Sequence, residues 1–218
     1  MFFEDKKLRY KKLLVIIIPL FVAFVICGFF AYRSIAVTFG TVSTTSKKFD
    51  IDSMDYHLRS NATDYQIELF DELRALVEDG TDDLAIAESV VKNYIADTYT
   101  WDNKKGQWDV GGMCYVYSPM KNNIYFKTKD GFYGLLNKNI DLYGNDGLLE
   151  VSSINILVSN VMSEKYEVDG NLYDCFHFDC EWTYTDDSRF ANSVENRMYF
   201  NVIKNNDGRF EIVANSEL

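Results

Sequence analysis

Residues 172–185 read LYDCFHFDCEWTYT, and the alternation in this stretch decides the fold class. Successive side chains of an extended strand point to opposite faces, so a two-residue period sorts them. Phe176, Phe178, Cys180, Trp182 and Tyr184 fall on one side; Cys175, His177, Asp179, Glu181 and Thr183 fall on the other. The even side predicts a strand face pressed onto a core. The odd side is expected to face solvent, a neighbour or a partner.

Further strands are expected on both sides of this one, at 148–158, a short arm near 165–168, 195–204 and 209–214. Asp169-Gly170 and Asp207-Gly208 supply hairpin turns, because both dipeptides tolerate the positive φ that tight turns need. Upstream the period becomes helical. Thr63 and Gln66 have capping-box spacing, and Ile67, Leu69, Phe70, Leu73, Leu76 and Val77 follow on one stripe until Gly80. Thr81, Asp82 and Asp83 open a second helix whose inward stripe is Leu84, Ala87, Val91, Tyr94, Ile95 and Thr98, running to about Trp101. These two helices should be antiparallel across a tight turn.

Residues 113–117 (MCYVY) and 123–127 (NIYFK) predict a strand pair, with a short helix as the alternative for the second. A third helix is expected from Asp130, through Phe132, Leu135, Leu136, Asn139 and Tyr143, to Gly144. Helices followed by a meander predict an α+β domain over residues 61–218, with helices packed on one face of a curved antiparallel sheet.

The N-terminal part is different. Residues 13–32 read LLVIIIPLFVAFVICGFFAY, twenty positions without a charge, which cover the roughly 30 Å hydrocarbon core of a bilayer. Lys6, Lys7, Arg9, Lys11 and Lys12 precede the run and only Arg33 follows closely. The positive-inside bias therefore predicts a cytoplasmic tail at 1–12, a transmembrane helix at 13–32, a stalk at 33–60 and an extracytoplasmic domain. The run exceeds a signal-peptide core and lacks a small-residue cleavage site, so an uncleaved anchor in the cell membrane is expected. Cys27 lies inside the run after Ile26, which does not suit a lipoprotein anchor.

Of the 22 Lys+Arg and 33 Asp+Glu, six basic and two acidic residues lie in 1–33, so the remainder carries a net charge of −15. Such a domain is expected to bind neither nucleic acid nor anionic lipid. Cys114, Cys175 and Cys180 are an odd number without CxxC spacing, which argues against a disulfide scaffold.

The order helix, helix, strand pair, helix, long antiparallel strands over about 61–215 resembles the nuclear-transport-factor-two-like (cystatin-like) cone fold. With the tail, membrane helix and stalk, the whole looks like the VirB-eight type of assembly subunit of type IV secretion and conjugation machines. That resemblance implies a non-enzymatic scaffold without cofactor, contacting other membrane-complex proteins, with further copies of the chain as candidate partners. The alternative is a membrane-tethered cone domain that binds a small ligand or is an enzyme.

Candidate site residues follow from what the strand pattern leaves unplaced. Trp101, Trp108, Tyr115, Tyr117, His177 and Tyr199 are the expected protein-interaction residues, centred on 101–117 (WDNKKGQWDVGGMCYVY) and the terminal sheet, although core burial is the ordinary fate of such aromatics. An enzymatic domain would draw on Asp109, Asp179 and Tyr115. Cys175, His177 and Asp179 share a strand face, but neighbours two apart on one strand project in parallel, about 6–7 Å apart, so neither a metal site nor a nucleophilic triad is predicted. His57 stands alone, and no phosphate loop, GxSxG, HExxH or dinucleotide fingerprint occurs. Asn61-Ala62-Thr63 is a formal glycosylation sequon that coincides with the helix cap, and Gly111-Gly112 is expected to mark a turn or bulge.

Overall fold

The computed structural model describes residues 49–80 and 82–217. The tail, the apolar run at 13–32 and the stalk as far as residue 48 lie outside the described residues. No described helix is long and apolar enough to cross a membrane.

The folded unit begins earlier than its periodicity suggests. β1 (Asp50–Ile51) and β2 (Tyr56–His57) pair as a small antiparallel hairpin turned at Asp55, where φ is 51°. Ile51 and Tyr56 enter the core, and the Tyr56 hydroxyl donates to the Phe210 carbonyl at 2.5 Å. Residues 49–57, expected in the stalk, therefore belong to the domain. Two-residue strands are too short to leave a period in the sequence.

The next two helices match their signals. In α1 (Asp64–Asp79) the Thr63 hydroxyl accepts from the Gln66 N–H while the Gln66 side chain accepts from the Thr63 N–H, and Gly80 closes the helix at φ 65°. In α2 (Asp83–Thr98) the Asp82 carboxylate caps Leu84 and Ala85. Asn93 donates to the Leu69 carbonyl (3.0 Å) and Gln66 to that of Ala96 (2.8 Å), cross-links that fix an antiparallel pair. Most of α2 is buried, with Ile86, Ala87, Val90, Val91, Tyr94 and Ile95 in the core.

Between the helices and the sheet the expectation fails in part. Residues 113–117 are not a strand of a pair: Met113–Tyr115 is a 3-10 turn, and only Val116 makes an isolated parallel bridge to Ile212. Cys114, Tyr115 and Val116 are all buried in succession, which a strand with one covered face cannot achieve. The second segment takes the helical alternative, as α3 (Lys121–Asp130), entered through a 3-10 turn carrying Pro119. The expected third helix starts later, as α4 (Leu136–Tyr143), ending at Gly144.

The sheet is antiparallel in the order β3 (Val151–Val161), β5 (Asn171–Tyr184), β6 (Arg197–Lys204) and β7 (Phe210–Glu217), with β4 (Tyr166–Val168) pairing to β5 beyond the end of β3. Register shifts within β3 and β7 mark bulges, which bend the sheet. The α+β expectation of helices on a curved antiparallel sheet holds. Phe176, Phe178, Cys180, Trp182 and Tyr184 are all buried under the helices, as the alternation predicts. The odd face departs from expectation at two positions: Cys175 joins a second small core with Tyr173, Val168, Ile203 and Val213, and Asp179 is covered.

Candidate functional site

The segment 101–117 folds back around the C-terminal end of α2 and centres on Asp97. The Trp101 and Asp102 N–H groups both donate to the Leu149 carbonyl, pinning the start of the loop to the chain leading into β3. Lys104 then turns inward. Its ammonium lies 3.1 Å from Asp97 Oδ1 and 2.6 Å from Asn103 Oδ1, with no exposure of its side chain. From the other side Arg59 Nε reaches Asp97 Oδ1 at 2.7 Å, and its Nη1 lies 3.4 Å from Asp109 Oδ2. The Gly112 N–H donates to Asp97 Oδ2 at 2.7 Å.

Gly111 and Gly112 make this approach possible. A Cβ on Gly111 would lie 2.1 Å from the Asp97 carbonyl oxygen, and one on Gly112, at φ 76°, would lie 2.2 Å from Thr98 Oγ1. The pair therefore serves close packing of the loop on α2, rather than entry into a strand. Thr98 donates to the Gly111 carbonyl at 3.2 Å, and the Tyr133 hydroxyl donates to the Thr98 carbonyl at 2.7 Å, so orphan carbonyls at the helix end find partners.

The electrostatics follow from burial and pairing. Burial pushes the Asp97 carboxyl up, but Lys104, Arg59 and the Gly112 N–H together outweigh it and hold the pKa at about 2. Burial brings Lys104 down to about 8 despite Asp97 beside it. Burial lowers Arg59 too, yet Asp97 and Asp109 leave it above its ordinary value. Two cations face two carboxylates, and each carboxylate is bonded to at least one of them. Such a group holds the loop against the end of α2. A cleft of about 230 Å³ beside it is lined by Asp55, His57, Arg59, Asp97, Cys114 and Lys121 among others. The Cys114 thiol in that cleft is pushed up to about 12 by burial, which suppresses the thiolate a nucleophile needs. No metal-ligating cluster occurs among the described residues.

The exposed face of the sheet carries a second constellation. His177 and Tyr199 stack with ring centroids 5.4 Å apart, and His177 Nδ1 lies 2.7 Å from Asn201 Oδ1. Beside them Arg197 grips Asp179 through Nε (3.1 Å) and Nη2 (2.6 Å), and this bonding keeps the carboxyl below its ordinary range.

The expected interaction residues thus separate. Trp101 and Tyr115 are buried, against the expectation of a surface role: Trp101 packs 5.1 Å from Phe132, and Tyr115 packs 5.0 Å from Tyr56. Their size and the anchoring of 101–117 to the core take them inward. His177 and Tyr199 come together at the surface. Tyr117 is half-buried against the second small core, and Trp108 is 62% exposed. Asp109, Asp179 and Tyr115 do not converge, because Tyr115 sits in the main core and Asp179 lies on the opposite face of the sheet. Sequence reasoning missed Phe126, Leu135 and Leu142, all exposed. A local charge count signals them: residues 105–142 hold five lysines and three aspartates, whereas 49–104 hold four basic and fourteen acidic residues.

Comparison with known protein families, curated proteins and solved structures finds no match in any of the three.

Proposed function

We propose that the chain is a non-enzymatic scaffold or assembly subunit of a membrane-spanning complex, most concretely of a conjugation or secretion channel, anchored by residues 13–32 with the folded domain outside. The observation that carries this reading is the Arg59–Asp97–Lys104–Asp109 network. A cluster of four charged groups is spent on holding a loop, while Trp108 is exposed and the His177–Tyr199 pair is half-buried on the outer face of the sheet. The VirB-eight likeness supports the reading only through the two leading helices and the long antiparallel strands, because the strand pair it expects at 113–127 is a turn and a helix.

Membrane partners are tested by affinity capture of the full-length chain from its native membrane, with Tyr199→Ala and Trp108→Ala alongside. Interfaces concentrate their energy in a few aromatic anchors, so losing one such anchor should weaken capture by about 2 kcal/mol or more. Capture unchanged in both variants would reject these surfaces.

A second reading, a small-ligand cone domain, is favoured by one observation. A cavity of about 250 Å³ opens between α3 and the sheet, lined by Tyr99, Phe132, Met198, Lys127, Thr128 and Glu195. Ligand-dependent thermal stabilisation that is lost in Met198→Trp would favour it.

A further inference from the structure

We propose that the basic, aromatic knob formed by residues 105–142 docks on the surface of an anionic lipid bilayer. The inference rests on reading residues 13–32 as a membrane anchor and adds a second, reversible contact to it.

The knob is held together by hydrogen bonds between its parts. The Tyr125 hydroxyl donates to the Trp108 carbonyl at 3.0 Å, the Gln107 side chain donates to the Lys129 carbonyl at 3.0 Å, and the Gln107 N–H donates to Asn137 Oδ1 at 2.8 Å. These bonds tie the Trp108 loop to both α3 and α4. Outward from this frame stand Trp108 (62% exposed), Phe126 (54%), Leu135 (62%) and Leu142 (60%). Leu135 and Leu142 are seven residues apart, two turns along one helix face, with Lys138 between them. Lys129 lies 5.1 Å over the Phe126 ring, and Lys127 is exposed beside it.

Large apolar side chains protruding among lysines suit a surface that is apolar inside and negative at its rim, which is the chemistry of an anionic bilayer. The acidic face of a second copy matches the lysines only. The outward residues of α1, including Asp64, Glu68, Asp71, Glu72, Glu78 and Asp79, offer Trp108 and Leu135 nothing to bury against. The acid surplus of the rest of the domain does not forbid the contact, because charges more than roughly 8–10 Å away are screened at physiological salt. Geometry permits it as well. Fifteen residues, 34–48, separate Arg33 from Phe49, and a chain of that length spans at most about 55 Å, so the linker itself is short.

The three tryptophans make the test specific. Trp101 and Trp182 are buried at 3% and 1% exposure, so a quencher in the lipid reads Trp108. The full-length chain is reconstituted in phosphatidylcholine vesicles with and without phosphatidylglycerol, using acyl chains brominated near the headgroup. Emission should be quenched in the anionic vesicles, and the quenching should be lost at high salt and in the combined variant Lys127→Glu, Lys129→Glu, Lys138→Glu. Trp108→Phe should leave a residual emission that bromine does not touch. Wild-type emission that ignores brominated lipid would overturn the proposal. So would quenching that survives charge reversal, or cross-linking of the patch to α1 of a second copy in place of quenching. A chain that fails to float with neutral vesicles refutes the anchor alone. The patch is then judged by flotation with anionic vesicles, and failure there refutes it too.

Discussion

Replacing Asp97 should remove the hub of the loop-holding network, and the size of the loss can be worked from its partners. The carboxylate takes Arg59 at 2.7 Å, Lys104 at 3.1 Å and the Gly112 N–H at 2.7 Å. In Asp97→Ala the Lys104 ammonium, with no side-chain exposure, keeps only Asn103 Oδ1 as a close acceptor, and Arg59 keeps the longer contact to Asp109. Breaking a buried ion pair from one side costs about 3–5 kcal/mol. The Asp97 side chain is 19% exposed, so water relieves part of that, and a loss of about 2–4 kcal/mol is expected. Urea titration at pH 7 should show the midpoint falling with the slope unchanged. The double variant Asp97→Asn with Lys104→Met should lose less than the sum of its parts, by at least about 1 kcal/mol, because the two groups share a contact. The pH dependence has a definite sign. The folded pKa of about 2 lies below the ordinary 3.8, so the contribution is full above 3.8 and is lost as pH falls toward 2. The gap corresponds to about 2 kcal/mol. Asp97→Asn should lack this acid slope. A loss under about 1 kcal/mol at pH 7, or identical slopes for wild type and Asp97→Asn between pH 4 and 2, would refute the hub.

Gly111→Ala should destabilise by about 3 kcal/mol or more, since its Cβ would meet the backbone oxygen of Asp97 at 2.1 Å and overpacking against backbone cannot be relieved by a side-chain rotation; thermal unfolding measures it, and a melting temperature within error of wild type would refute the close packing. Native Cys114, Cys175 and Cys180 should resist alkylation at pH 7, because burial raises all three thiols, the first two to about 12 and 11; mass spectrometry before and after denaturation reads this, and rapid native labelling at any of the three would refute that thiol's burial.

The parts legible in the sequence were those with a repeated local signal. In β5 the even positions from Phe176 to Tyr184 proved to be the core; Thr63, Gln66, Gly80 and Asp82 declared their caps because capping is chemistry within four residues. The loop from Tyr99 to Met120 was not legible, for a physical reason. Its conformation is fixed by Asp97, Arg59, Tyr133 and Leu149, which come from four other places in the chain. Lys104 illustrates the difficulty. In sequence it is one of two adjacent lysines, ordinarily solvated, and only the arrival of Asp97 makes its burial tolerable. The aromatics failed by the same logic. Trp101 and Trp108 are seven residues apart in one polar stretch, yet one is core and the other surface, because the Leu149 carbonyl pins the first and nothing in the main core reaches the second.

Packing and charge then point independently at the same segment. Ile124 is the buried residue of the ten in α3 and Leu136 that of the eight in α4, so neither helix gains much from the core. Short helices with so little burial are marginal in water, and a segment whose task was only to cover the sheet would turn its apolar residues inward. Here Phe126, Leu135 and Leu142 turn outward, and the same segment reverses the sign of charge that the residues before it carry. Neither feature is needed to close the core, which Trp101, Phe132 and Tyr133 already do on this side. An outward apolar face costs solubility unless something covers it, and the lysines say what sign of surface that is. Reversing Lys127 and Lys138, both exposed, should therefore leave the unfolding midpoint almost unmoved, within about 0.5 kcal/mol, while weakening lipid contact. A large loss of stability in the charge-reversed chain would mean that the knob is structural after all.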